Sequence, residues 1–103
     1  MSVLMNFAMF PTDKGTSVST HVSKVIDMIR DSGVQYKLTP MATVIETETM
    51  SQALEIIQKA NNILEPDSDR IYSSVTFDIQ KGKSNRIITK VESVENKIGK
   101  VNK

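Results

Sequence analysis

Apolar residues in this chain switch between a two-residue and a roughly 3.6-residue period, in an order that leaves few folds open. Val3 to Phe10 is too short for a stable helix and is hydrophobic on both faces, with Asn6 its one clearly polar side chain, so it reads as a strand. Pro11 ends it, and Thr12-Asp13-Lys14-Gly15 is turn chemistry. Val18, Val22, Val25, Ile26 and Ile29 then form a helical stripe. Ser17 or Ser19 offers that helix an N-cap hydroxyl, and Gly33 a left-handed stop. Val34 to Leu38 and Met41 to Thr47 are extended runs joined tightly by Thr39-Pro40, which predicts a hairpin or a bent strand pair. Thr49 and Gln52 form a capping box ahead of a second stripe of Met50, Ala53, Leu54, Ile57, Ala60 and Leu64, closed by Pro66 and Asp67. Ile71 to Gln80 alternates best: Ile71, Val75, Phe77 and Ile79 point one way, Tyr72, Ser74, Thr76, Asp78 and Gln80 the other. Gly82 turns the chain into a last helix, capped by Ser84 or Asn85, with Ile87, Ile88, Val91, Val94 and Ile98 along one side.

Strand, helix, strand, strand, helix, strand is two βαβ halves joined by a hairpin. Right-handed crossovers wind it into a four-stranded antiparallel sheet with two helices on one face, the α+β ferredoxin-like sandwich. The third helix is an addition at the end. A chain of 103 residues suits one such domain, spanning 1–103. With no cysteine there are no disulfides, thiolate metal sites or thiol nucleophiles, which fits a reducing cytoplasm.

The sheet face away from the two helices should not be left to solvent. Val3, Met5, Phe7 and Met9 form one side of the first strand and Leu4, Asn6, Ala8 and Phe10 the other, so either choice leaves apolar groups uncovered. Self-association through the sheet face or an edge is the expectation. The competing expectation is that the third helix folds back over the sheet.

Chemistry is sparse. His21 is the only histidine, and no carboxylates group around it as a metal site would require. The four glycines are dispersed, and no serine sits in a nucleophile-elbow pattern. The six methionines mostly occupy apolar positions and read as core filling. Thirteen basic residues balance twelve acidic ones, so no bulk field draws the chain to nucleic acid. The basic run from Lys81 to Lys103, Arg86 included, reads as a solvated helix face. Neither a signal peptide nor a membrane segment is expected from the short apolar N-terminus. Catalysis, a metal and a cofactor are not indicated. What the chain has instead is small polar groups on or beside strands (Asn6, Thr39, Thr43, Thr47, Ser73, Ser74 and Thr76), either satisfied locally or lining a neutral pocket for a small heterocycle.

Ser32 to Glu48 reads SGVQYKLTPMATVIETE. This resembles the SG-x-x-Y-x-LTPMGT-x-IEGE pattern of the thiamine-binding-like proteins of the MTH1187/YkoF-like superfamily, the UPF0045 (DUF77) family. The segment GTSVSTHVSKVI, the strand from Arg70 to Asp78 and the ending KVESVENKI are also similar, so the likeness runs nearly the whole length. It implies a ferredoxin-like fold, dimers or tetramers assembled through the sheets, no catalytic activity, and binding of thiamine or its hydroxymethylpyrimidine moiety. Carried onto this sequence, the site falls at Ser17 and Ser19 at the helix start, at Thr39, Thr43 and Glu46 in the Leu38–Glu46 segment, and at Asn6 on the adjoining strand. Ala42 and Thr47 stand where the family commonly has glycine, and His21 where tyrosine is frequent. The expected role is a homo-oligomeric carrier, buffer or sensor. The alternative is an interaction module that oligomerises through its sheet without a ligand.

Overall fold

A computed structural model describes residues 1–103. The elements are β1 (Ser2–Pro11), α1 (Ser19–Ser32), β2 (Gln35–Leu38), β3 (Thr43–Thr47), α2 (Met50–Leu64), β4 (Ile71–Gln80) and α3 (Arg86–Ile98). The strands lie in the order β2-β3-β1-β4 with every neighbouring pair antiparallel, which is the ferredoxin-like arrangement. Both βαβ halves are as the periodicity predicts.

Helices α1 and α2 lie on the sheet face that carries Val3, Met5, Phe7 and Met9, and the core is built there. Val25 and Ile29 of α1, Ala53, Ile56, Ala60 and Leu64 of α2, and Ile45 of β3 complete it. Ile56, not Leu54, is the deeply buried residue of the second turn of α2, and Leu54 faces solvent. The 3.6-residue period allows either; the helix settles with the two small alanines, Ala53 and Ala60, against the sheet. The capping box holds: Thr49 accepts from the Gln52 backbone N–H at 3.2 Å, and Gln52 accepts in return from the Thr49 N–H at 3.1 Å. Gly33 closes α1 at φ 79°, a conformation that side chains with a Cβ resist.

The serine cap expected for α1 is absent. Val18 is the N-cap, and its carbonyl accepts from the N–H groups of His21 and Val22 at 3.0 and 2.9 Å. A serine cap contributes about 1 kcal/mol, a loss that packing the half-buried Val18 side chain into the space between α1 and the β2–β3 turn offsets.

α3 lies against the other sheet face, at the end that carries Ser2 and Glu46. The third helix therefore does fold back, but it covers only part of that face. Ile88, Val94 and Ile98 of its stripe stay exposed, as does Tyr72 of β4. β4 is an outer strand ten residues long, paired to β1 without a break from Ser2↔Gln80 to Pro11↔Ile71. Phe77 and Ile79 point to the α1/α2 side, yet neither helix reaches them, and they remain 38% and 48% exposed.

Candidate functional site

The β2–β3 turn is a small, stiff structure. The Thr39 hydroxyl donates to the Ala42 carbonyl at 2.7 Å and accepts from the Ala42 N–H at 3.1 Å, while the Thr39 N–H donates to the same carbonyl at 2.9 Å. Pro40 fixes φ at its centre. Between this turn, the start of α1 and the end of β1 lies a cavity of about 400 Å³. Eleven of its fourteen lining residues are hydrophobic, and its only polar side chains are Thr39 and Thr43. Thr39 is spent on the turn. Thr43 is 5% exposed, and no hydrogen bond within the chain engages its hydroxyl, so the residue brings an uncommitted donor and acceptor to the cavity lining. No charged group lines this space.

The residues expected to form a site are not all gathered there. Thr39 and Thr43 line the cavity. Ser17 and Ser19 lie beside it, outside the wall, with the Ser19 carbonyl accepting from the Ser23 hydroxyl at 2.6 Å. Asn6 is exposed on the opposite sheet face, between Val44 and Thr76, because β1 alternates and Phe7 takes the cavity side. Ala42 belongs to the cavity wall, whereas His21 and Thr47 do not. The Thr47 hydroxyl donates instead to the Thr49 carbonyl at 2.8 Å.

Glu46 lies on the opposite face, at the other end of the sheet, and does something else. Its carboxylate accepts from the Ser2 hydroxyl at 2.5 Å and from the backbone N–H groups of Arg86 and Ile87 at 3.0 and 2.9 Å. It thus caps the N-terminus of α3 from forty residues away, a task the adjacent Asn85 side chain leaves undone. Arg86, only 4% exposed, completes the cluster. It donates to the Ser2 hydroxyl and carbonyl at 2.9 and 3.0 Å and to the Asp78 carbonyl at 2.6 Å, and pairs with the Asp78 carboxylate at 3.2 Å. Burial raises the Glu46 carboxyl, but the Ser2 hydroxyl, the two N–H groups and the Arg86 charge together outweigh it and hold Glu46 below its ordinary value. Arg86 is therefore no part of a solvated basic face. The available signal was its type: it is the one arginine in a run of lysines, and arginine suits buried, multiply bonded pairs. The cluster fastens α3 to the sheet and leaves no group free for chemistry.

A larger groove of about 540 Å³ lies at that same end, edged by Glu48, Glu55 and Lys59. It is open and polar, and Lys59 is already paired with Glu55 at 3.0 Å. Small-molecule sites are concave and mostly apolar with a few placed polar groups, so the smaller cavity by Thr43 is the better candidate. No three histidine or carboxylate side chains converge as a metal site.

The fold and this cavity define a ferredoxin-like domain with an apolar cleft under its β2–β3 hairpin. Such domains occur in many proteins, and comparison with known ones narrows the class. The family model for thiamine-binding protein matches residues 5–95, and the chain belongs to that family. A UPF0045 protein of Methanothermobacter thermautotrophicus is 30% identical over 84 residues, covering 81% of this chain and 85% of that one. A UPF0045 protein of Mycobacterium bovis is 30% identical over 95 residues, covering 92% and 93%. Among solved structures, a hypothetical protein of Methanocaldococcus jannaschii superposes with a TM-score of 0.81 at 29% identity, over 90% of this chain and 95% of that one. A candidate thiamine biosynthesis/salvage protein of Thermotoga maritima has a TM-score of 0.76 at 18% identity, over 91% and 99% of the two chains, a likeness of fold.

Proposed function

We propose that this protein is a non-catalytic, cytoplasmic carrier, buffer or sensor that holds thiamine, or its hydroxymethylpyrimidine moiety, in the cavity under the β2–β3 turn. The observation that carries this reading is the pairing of apolar walls with one free hydroxyl, Thr43, in about 400 Å³. That volume lies in the range of small-ligand pockets, and the uncharged walls suit a neutral aminopyrimidine ring. The carboxylates that could offset a thiazolium charge, Glu46 and Asp78, are on the other face and engaged with Arg86. The cationic half of thiamine would therefore project through the mouth into solvent. Family membership supports the ligand class.

Calorimetric titration with thiamine and with hydroxymethylpyrimidine tests it. Saturable binding is expected for at least one. Thr43→Val should weaken it about five- to tenfold, the loss of one neutral hydrogen bond at constant shape, and Asn6→Ala should leave it unchanged. No heat from either ligand at high protein concentration would remove the binding reading and leave an interaction module.

The same proposal includes homo-oligomerisation, through the free edge of β4. Ten residues without proline or bulge carry one charge, Asp78, and offer a row of unpaired backbone groups. Two such strands paired antiparallel about Val75 set Ile71 opposite Ile79 and Ser73 opposite Phe77, with no like charges facing each other. Sedimentation velocity at tens of micromolar should give a dimer or tetramer, and Phe77→Lys should reduce it to smaller species. A wild-type monomer at that concentration contradicts the assembly.

A further inference from the structure

The chain's sulfur chemistry rests entirely on methionine, since it has no cysteine. Its six methionines are placed unequally. Met5 and Met9 are buried in the core, and Met28 and Met50 are half-buried. Met1 is 47% exposed and Met41 86%. Met41 is also the one exposed methionine that lines the Thr43 cavity, standing at its mouth on the β2–β3 turn. The turn gives it little freedom to withdraw, because the Thr39 hydroxyl bonds to the Ala42 N–H and carbonyl on the far side of Met41 and also accepts from the Met41 N–H at 3.4 Å.

We propose that Met41 is a reversible oxidation site that controls entry to this cavity; the inference rests on reading the cavity as the binding site. The oxidant is a hydroperoxide. A thioether lone pair attacks the terminal peroxide oxygen, an S–O bond forms and the O–O bond breaks. Sulfur is oxidised by two electrons, and the departing oxygen takes up a proton to leave as water or an alcohol. A dithiol reductase of the methionine-sulfoxide class reverses the step, releasing water as its two thiols become a disulfide. The change replaces a flexible apolar side chain at the rim of an apolar cavity with a polar, chiral one. Met41 is 86% exposed and no basic side chain lines the cavity to draw the new sulfoxide oxygen inward, so the oxygen keeps its water and the mouth turns polar.

The experiment treats the full chain with increasing hydrogen peroxide, maps added oxygen by peptide mass spectrometry, and measures affinity for hydroxymethylpyrimidine at each step. Met41 should oxidise well ahead of Met5 and Met9, and affinity should fall at least about fivefold in step with it, the scale of one apolar contact made polar. Met41→Leu, measured against its own untreated affinity, should keep that affinity through the treatment; Met41→Gln should bind as weakly as the oxidised protein. A dithiol-driven sulfoxide reductase should restore the wild type. Equal oxidation of the core methionines, or affinity loss in Met41→Leu as large as in the wild type, overturns the proposal. Hydroxymethylpyrimidine that fails to bind even the reduced protein refutes the ligand and not the gate. An environment-sensitive anilinonaphthalene dye then serves as the cavity probe, and its peroxide-dependent loss in the wild type but not in Met41→Leu decides the matter.

Discussion

Arg86→Ala is expected to cost about 3–5 kcal/mol of folding stability, the cost of leaving one member of a buried, hydrogen-bonded charge cluster without its partner. The substitution strips Glu46 of its nearby positive charge and leaves the carbonyls of Ser2 and Asp78 without their guanidinium donor. For a domain of this size the melting temperature should drop by more than about 10 °C. Because α3 is fastened mainly through this cluster, its amides should lose hydrogen-exchange protection before those of β1 do. Replacing both buried charges with apolar residues, as in Arg86→Met with Glu46→Leu, should cost clearly less than the single change plus the loss of the helix cap, since no buried charge is then stranded and the half-exposed Asp78 keeps Lys90. Urea titrations of the single and double variants check this. A single variant within about 1 kcal/mol of the wild type would mean that the cluster is an exposed ion pair in effect.

The second large effect is acid sensitivity. Glu46 is held below its ordinary value of 4.5 by the Ser2 hydroxyl, two backbone N–H groups and the Arg86 charge, against the raising effect of burial. Above the ordinary value both folded and unfolded chains carry the carboxylate ionised, and its contribution to stability is fully present. As the pH falls past that value the unfolded chain takes up the proton first, so stability declines, and the contribution is gone once the pH passes the lowered folded value. Glu46→Gln should therefore be less stable than the wild type by about 2 kcal/mol at neutral pH, the scale of hydrogen bonds to a charged group. The difference should shrink as the pH is lowered from about 5 towards 3. Asp13, Asp78 and Glu95 are also lowered, by the Asp69 N–H, by Lys90 and by Lys103 respectively, but these groups are common to both proteins and largely cancel in the difference. A gap that stays constant over that range contradicts the role given to the carboxylate.

Local pattern sufficed wherever the governing contact was local. The capping box at Thr49 and Gln52, the stop at Gly33 and the ten-residue alternation of β4 each lie within a few residues of their cause. The α3 cap did not, because Glu46 reaches it across the sheet, and only the register Leu4↔Glu46 and Leu4↔Asp78 puts the parts of that cluster on one face. Asn6 shows the same limit. Both faces of β1 are apolar enough to be inside, so which side meets the helices had to be settled by packing, and the choice of Val3, Met5, Phe7 and Met9 turned Asn6 away from the cavity. Thr39 and Thr43 were visible through the LTPMAT motif, but their division of labour was not. One hydroxyl locks the turn and the other is left free, a distinction made by hydrogen bonds within the hairpin.

The most direct test of the central claim is where a ligand lands. Amide chemical-shift mapping of the labelled protein with thiamine or hydroxymethylpyrimidine should perturb Val18 to Ile26 and Leu38 to Thr43 most strongly, and leave Glu46, Ser84 and Asn85 in place. Shifts centred on the polar groove by Glu48 and Lys59, or none anywhere, would contradict a binding site under the β2–β3 turn.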